Sequence, residues 1–366
     1  MKITLSAIKA DVGSLAGHER PSSAMLQTVK EYVGKNGKGF IIDFNIFHTG
    51  DDISILMSHQ RGKLDSKVHK LAWDAFLEAT KVAKSQGLYG AGQDLLKDAF
   101  SGNVKGMGPA VAELEIEERE AEPFVFFMAD KTDPGAFSLP LYLAFADPMY
   151  NPGLLLSSEM AKGFTFTIMD VMHTGADKII TLNAPEDLYD IACLLRDLET
   201  YVIEGIRARA HPEMECVAVS TTRLHNIAGT YTGKDDPIAI VRVQKQFPDS
   251  GEVLSPYVIA PFVAGDNRGS HNTPLMPVKM GETVTYFDGP AIVSAVGLSV
   301  HEGKFSEVLD LFDHPVWERV REKVSDKAIE LRRQGFFGCA MLGMNELEYT
   351  GIMERLKELQ KKFVVR

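Results

Sequence analysis

The stretch Gly229-Thr230-Tyr231-Thr232-Gly233-Lys234-Asp235-Asp236-Pro237 sets one lysine against two carboxylates, with a tyrosine three residues before it. Glycines at 229 and 233 open backbone angles closed to other residues and let the chain approach a ligand closely. A lysine acts as a nucleophile only when partly neutral, which burial or a nearby cation arranges. Neighbouring carboxylates do the opposite, because they favour the ammonium. A divalent cation on Asp235 and Asp236 would remove the conflict, since a bound metal inverts the local pKa logic. Alone, a Gly-Lys-Asp-Asp run is more often a solvated turn. The rest of the chain must decide.

The same residue types recur. Asp11 opens the loop Asp11-Val12-Gly13-Ser14-Leu15-Ala16-Gly17-His18, and His48-Thr49-Gly50-Asp51-Asp52 carries a second acidic pair. Gly87-Leu88-Tyr89-Gly90-Ala91-Gly92-Gln93-Asp94 precedes a short helix, a setting in which backbone N–H groups can cradle phosphate. The apolar run 123–129 empties into Asp130-Lys131-Thr132-Asp133-Pro134-Gly135. Polar islands lie at 264–274, with Arg268, and at 286–290. Each acidic loop taken singly reads as a turn. Together Asp11, His18, Asp51, Asp52, Gln93, Asp130, Asp235 and Asp236 are hard donors with one imidazole and no thiolate, which suits Mg²⁺ or Mn²⁺ better than zinc. So many carboxylates coexist only if several cations are shared among them. Several cations beside phosphates held by Lys131 and Arg268 describe metal-assisted phosphoryl hydrolysis.

Such residues need strand ends and turns to hold them. Residues 2–10 alternate as a strand that delivers Asp11 at its end. Ser22 and Ser23 read as caps of a helix to about residue 34, and strands follow at 39–48 and 53–59. Val68, Leu71, Ala72, Ala75, Phe76, Ala79, Val82 and Ala83 make one face of a helix over 65–86, with Trp73 as packing. The short helix after the glycine-rich segment runs to about Phe100. Residues 111–119 and 123–129 read as paired strands, the second apolar on both faces, so Asp130 and Lys131 emerge at a strand end. Further strands are expected at 163–170, 177–182, 215–222 and 238–246, and a strand-rich region over 252–300. A long helix is expected over 185–210, with Leu188, Ile191, Leu195, Leu198, Val202 and Ile206 as its stripe, and closing helices over 324–334 and 345–362. No repeat or linker marks a boundary, so the expectation is an α/β fold in one layered domain over 1–366.

Composition narrows the partners. At 366 residues the chain can bury a large core, and its net charge of −11 argues against a nucleic-acid or anionic-membrane surface. Cys193, Cys216 and Cys339 lie far apart without CxxC spacing, which suits a reducing cytoplasm and excludes a disulfide framework. The start lacks a signal-peptide core, and no apolar run approaches a membrane span. A soluble, cytoplasmic protein is expected.

The opening Lys2-Ile3-Thr4-Leu5-Ser6-Ala7-Ile8-Lys9-Ala10-Asp11-Val12-Gly13-Ser14, with His18, Gly50-Asp51-Asp52, Asp130-Lys131-Thr132-Asp133-Pro134-Gly135 and Tyr231-Thr232-Gly233-Lys234-Asp235-Asp236, resembles the bifunctional fructose-1,6-bisphosphate aldolase/phosphatase family across essentially the whole chain. The resemblance implies an α-β-β-α sandwich assembled as a homo-octamer. It implies condensation of dihydroxyacetone phosphate with glyceraldehyde 3-phosphate, then removal of the C1 phosphate of fructose 1,6-bisphosphate to give fructose 6-phosphate. By the same resemblance Lys234 forms the Schiff base and Tyr231 moves its proton. Several Mg²⁺ ions then fall on Asp11, His18, Asp51, Asp52, Gln93, Asp130, Asp235 and Asp236, with Asp11 also the base that activates water. Substrate contacts fall on His18, Tyr89, Gly102, Asn103, Lys131, Gln244, Arg268, Asp288 and Tyr349.

Three rivals stand beside that expectation. A phosphatase alone would use the same metals and leave Lys234 a phosphate contact. A nucleotidyl-transfer enzyme built on Gly50-Asp51-Asp52 is opposed by the acidic charge and the lack of a basic groove. A non-catalytic, metal-stabilised assembly module would explain the carboxylates but not Tyr231, Lys234, Lys131 and Arg268 together.

Overall fold

Two buried faces of one strand set the architecture. In β1 (Lys2–Asp11), Ile3, Leu5 and Ala7 pack to one side, while Ile8 and Ala10 pack to the other, as a pleat of period two requires. A strand apolar on both faces has to be covered on both. The computed structural model describes residues 1–95, 108–173, 176–220, 236–259, 264–266, 272–283, 290–333 and 350–366.

One cover is helical. Helix α1 (Ser23–Asn36) is capped by Ser22, whose hydroxyl accepts from the Met25 N–H, and α2 (Ser66–Ser85) by the Asp65 carboxylate. Val68, Leu71, Ala72, Ala75, Phe76 and Ala79 of α2 meet Met25, Val29 and Val33 of α1 over the outer face of the sheet. That sheet is antiparallel and orders β2 (Ile41–Thr49), β3 (Asp52–His59) and β4 (Ala110–Glu117) around β1 as β2-β3-β1-β4.

The other cover is a larger sheet. The chain continues through β5 (Glu122–Asp130), α3 (Ser138–Phe145), α4 (Gly153–Leu156), β6 (Phe164–Asp170), β7 (Lys178–Ala184) and α5 (Leu188–Leu195). Then come β8 (Tyr201–Ala208), β9 (Glu215–Val219), β10 (Ile238–Arg242), α6 (Ser250–Leu254), β11 (Ala264–Asp266), β12 (Asn272–Pro274) and β13 (Met276–Pro277). It ends with β14 (Ile292–His301), β15 (Lys304–Phe305), β16 (Leu309–Asp310), α7 (Pro315–Arg333), α8 (Thr350–Gln360) and β17 (Val364–Val365). The large sheet runs β13-β14-β5-β10-β9-β8-β6-β7-β17. Its inner face sets Phe124, Phe126, Met128, Ile238 and Ile240 against Ile3, Leu5 and Ala7. Its outer face is covered by α3, α5, α7 and α8 through Leu141, Phe145, Ile191, Leu194, Trp317, Val324 and Leu359. The layering is helix, sheet, sheet, helix, as the resemblance implied. Among the described residues no helix is long and apolar enough to cross a membrane.

The expected helix over 185–210 is wrong. Helix α5 stops at Leu195; the Asp197 carboxylate then accepts from the Glu199 and Thr200 N–H groups and turns the chain into β8. Val202 and Ile206, spaced four apart, fit a helical stripe equally well, but they sit in a β-branched run with strands on both sides. Helix α7 starts at Pro315, nine residues before the expected 324, with proline at its first position where the missing N–H costs nothing. The strand expected over 238–246 stops at Arg242, and the region from 252 opens within a helix capped by Asp249 and Glu252. Residues 96–100 and 345–349, expected as helix, lie outside the described residues.

Between α2 and the smaller sheet runs a buried polar chain. The Arg61 N–H donates to His59 Nδ1 at 3.2 Å, which leaves Nε2–H to donate to Ser6 Oγ at 2.8 Å. Ser6 donates to Glu113 at 2.6 Å, and His69 Nε2 lies 3.1 Å from the same carboxylate oxygen. Burial lowers the His59 pKa from the ordinary 6.5 to about 4, against the opposing pull of Glu113. The unfolded chain therefore binds more protons between those values, so stability is lost as pH falls through that window, by up to about 3 kcal/mol. Denaturant melts from pH 7 to pH 4 should show this loss, and His59→Gln, which keeps a donor toward Ser6, should flatten it.

Candidate active site

Strand pairing alone assembles most of the acidic set. In the smaller sheet Asp11 at the end of β1 lies opposite Asp52 at the start of β3, and Asp52 also pairs with Thr49 across the Gly50-Asp51 turn. In the larger sheet β5 ends on Asp130, and β10 begins two residues after Asp236. Packing of the two sheets brings these ends together. Gly50 is required there: its φ is +55°, and a Cβ on it would stand 1.7 Å from Asp130 Oδ2.

Two donor groups result among the described residues. Asp11, His18 and Asp51 offer ligand atoms within 4.8 Å of one another, as do Asp52, Asp130 and Asp236. His18 Nδ1 lies 3.1 Å from Asp51 Oδ2, while its buried Nε2 has no hydrogen-bond partner among the described residues. A buried imidazole nitrogen without a partner needs a reason, and a ligand or an ion supplies one. The Tyr89 ring meets the His18 ring edge-on, centroids 4.8 Å apart. Lys131 ties the two groups together, its Nζ donating to Asp130 Oδ2 at 2.9 Å and to Asp51 Oδ1 at 3.1 Å. Its backbone is held at φ +59°, an uncommon conformation for a side-chain-bearing residue. Thr132 anchors Asp236 through its N–H at 2.8 Å.

The electrostatics fit a cation site. Burial, then Asp51, Asp94 and Asp52, push the Asp11 carboxyl well above the usual range. Burial also pushes Asp130 up, against the pull of Lys131 and with the charges of Asp51, Asp236 and Asp52 adding to the rise. Asp51 goes the other way: burial would raise it, but Lys131 and His18 hold it low. Lys131 is raised despite its burial by Asp130 and Asp51. Without metal the cluster thus relieves itself by keeping protons on some carboxyls. A divalent cation would release them, and these hard oxygen donors with one imidazole match Mg²⁺ or Mn²⁺.

The glycine-rich segment is stitched beside Asp11. Ser14 and Tyr89 exchange backbone hydrogen bonds at 2.9 and 3.2 Å, and the Gly92 N–H donates to the Val12 carbonyl at 3.1 Å. Gln93 begins the 3₁₀ turn that follows, one residue before Asp94, whose carboxylate accepts from the Asp11 N–H. One expected contact is not brought in by the chain itself. Strand β10 runs antiparallel to β5, Ile238 opposite Met128 and Arg242 opposite Phe124. Gln244 therefore lies beyond the far end of β5, about 25 Å of strand from Asp130, where its carbonyl accepts from Arg119 at 2.9 Å. Its φ of +72° explains why the strand had already ended. Gly102, Asn103, Tyr231, Lys234, Asp235, Arg268, Asp288 and Tyr349 lie outside the described residues.

Two residues with no role assigned from sequence belong here. The Asp94 carboxylate accepts from the Asp11 N–H at 2.8 Å and from the Gly108 N–H at 3.3 Å, fixing the backbone that carries Asp11. Lys9 is fully buried and donates to Asp52 Oδ2 and, at 2.8 Å, to the Ala129 carbonyl. Its signal in the sequence was a charge on an otherwise apolar strand face.

The model of the family described as fructose-1,6-bisphosphatase matches residues 2–364. A fructose-1,6-bisphosphate aldolase/phosphatase of Thermus thermophilus is 58% identical over 363 residues, covering 99% of this chain and 100% of that protein. Proteins of the same name from Cenarchaeum symbiosum and Thermococcus kodakarensis are 47% and 48% identical, covering 100% and 99% of this chain and 95% and 98% of their own lengths.

Proposed function

Because the chain belongs to the fructose-1,6-bisphosphate aldolase/phosphatase family, we propose that it carries out both reactions of that name in gluconeogenesis, as one catalytic domain over residues 1–366. It joins dihydroxyacetone phosphate and glyceraldehyde 3-phosphate, then hydrolyses the C1 phosphate of the fructose 1,6-bisphosphate formed. The observation that carries this reading is the pair of donor groups bridged by Lys131, because Asp236 of the second group stands two residues after Lys234 in the sequence. Ligands for phosphate hydrolysis and the amine for carbon–carbon bond formation thus share one segment. Both reactions act at neighbouring atoms of one sugar, C1 and C2, so one site can serve them.

Mg²⁺ would be held by Asp11, His18, Asp51, Asp52, Gln93, Asp130, Asp235 and Asp236. When bound it supplies positive charge to the phosphate oxygens and acidifies water. The chain's own residues do the rest. Lys131 holds a phosphate, and Asp11 takes a proton from the attacking water. Lys234 attacks the ketone of dihydroxyacetone phosphate, losing water to form an imine that stabilises the C3 carbanion, and Tyr231 moves the proton. His18, Tyr89, Gly102, Asn103, Arg268, Asp288 and Tyr349 contact substrate. Gln244 reaches such a site only from a second copy of the chain, in keeping with a homo-octamer, and the setting is the cytoplasm.

Borohydride trapping tests the assignment. With dihydroxyacetone phosphate, reduction should add one substrate-derived mass to the peptide containing Lys234. An adduct on Lys131 would exchange the two lysines. Absence of any adduct in a preparation fully active as a phosphatase would leave a phosphatase alone.

A further inference from the structure

Lys9 is used neither by the metal ligands nor by the substrate contacts proposed above. It follows Ile3, Leu5 and Ala7 on the face of β1 that meets the larger sheet, where an aliphatic side chain would fill the same volume. A buried ammonium is costly unless fully paired, and a buried ion pair adds little stability over well-packed apolar groups. The fold alone gives no reason for a charge at this place.

The partners of Lys9 give one. Its Nζ donates to Asp52 Oδ2 on the smaller sheet and to the Ala129 carbonyl on the larger. The Ala129 N–H in turn donates to the Pro237 carbonyl at 3.0 Å. Asp130 follows Ala129, and Asp236 precedes Pro237. One ammonium therefore touches the first carboxylate of the second donor group directly and reaches the backbone beside the other two.

We propose that Lys9 is an internal counter-ion, a positioning residue that holds Asp52, Asp130 and Asp236 in ligand geometry before a divalent cation arrives. The proposal rests on the reading that these three carboxylates hold such a cation. It makes Lys9 most important in the metal-free protein, where no bound cation yet offsets the three carboxylates.

Thermal melts of wild type and Lys9→Met, each in chelator and in saturating Mg²⁺, test this. In chelator Lys9→Met should melt about 4–7 °C below wild type, as loss of one partner of a buried pair predicts for a chain of this size. Mg²⁺ should return most of that loss, so the gain on adding Mg²⁺ is larger in the variant than in wild type. A lysine that serves packing alone would lower both melts equally, which would overturn the proposal. Lys9→Met/Asp52→Asn removes both charges and should melt in chelator close to wild type; if it is as unstable as Lys9→Met, or fails to fold, the counter-ion role is wrong. A wild type that gains nothing from Mg²⁺ overturns the metal reading itself. That outcome is distinct from a normal wild-type gain matched by the variant.

Discussion

Asp11→Asn should release phosphate from fructose 1,6-bisphosphate on the order of 10²–10⁴-fold more slowly than wild type, the range that loss of a general base covers. The fold should survive, for a local reason. The Gly13 N–H donates to Asp11 Oδ1 at 3.0 Å, and an asparagine oxygen accepts the same bond. The backbone N–H of residue 11 still reaches Asp94. What the variant loses is charge and basicity. Burial and the neighbouring Asp51, Asp94 and Asp52 push the Asp11 carboxyl upward in the metal-free protein, and bound cations would return it to the ionised form that takes the proton. In chelator that carboxyl is pushed toward its neutral form, which the asparagine amide matches, so the melt should not fall. Phosphate release at the wild-type rate, measured beside an unchanged melt, would reduce Asp11 to a strand-end residue.

Much of the frame was legible because its periodicities are local. The alternation of residues 2–10, the stripe of 65–86 and the cap at Ser22 involve neighbours within a few residues, and each element formed where expected. The helix over 185–210 failed because spacing of four suits either period, and the choice was made by β6 and β9, far away in sequence. The same division runs through the site. Asp11, Asp51, Asp52 and Asp130 were visible as carboxylates at strand ends. That they divide into two groups bridged by Lys131 depends on how two sheets pack, which no spacing encodes. Lys9 stood inside the strand that pointed to Asp11, yet its role depends on Ala129, 120 residues on. Gln244 came with the resemblance alone, and within one chain the register of β10 on β5 carries it away from the cluster.

Lys234→Arg should lose carbon–carbon bond formation by about 10⁴-fold or more, as removal of a covalent nucleophile does, and keep measurable hydrolysis of supplied fructose 1,6-bisphosphate. Imine formation needs a neutral amine, and guanidinium stays protonated at any working pH. Arginine keeps the positive charge beside Asp235 and Asp236, so the electrostatics that govern cation binding change little. Lys234 is not one of the proposed metal ligands, so the ligands for hydrolysis remain. Tyr231→Phe should divide the activities the same way, since it removes a proton carrier and no ligand. The measurement is a paired assay on one preparation, fructose 1,6-bisphosphate formed from the triose phosphates against phosphate released from the bisphosphate. Equal loss of both would mean that Lys234 serves phosphate binding or metal placement, the role a phosphatase alone would give it. Retention of condensation would move the nucleophile elsewhere, and Lys131 is the poorer candidate. Asp130 and Asp51 raise its pKa well above the ordinary value, which holds it as ammonium until cations take over those carboxylates.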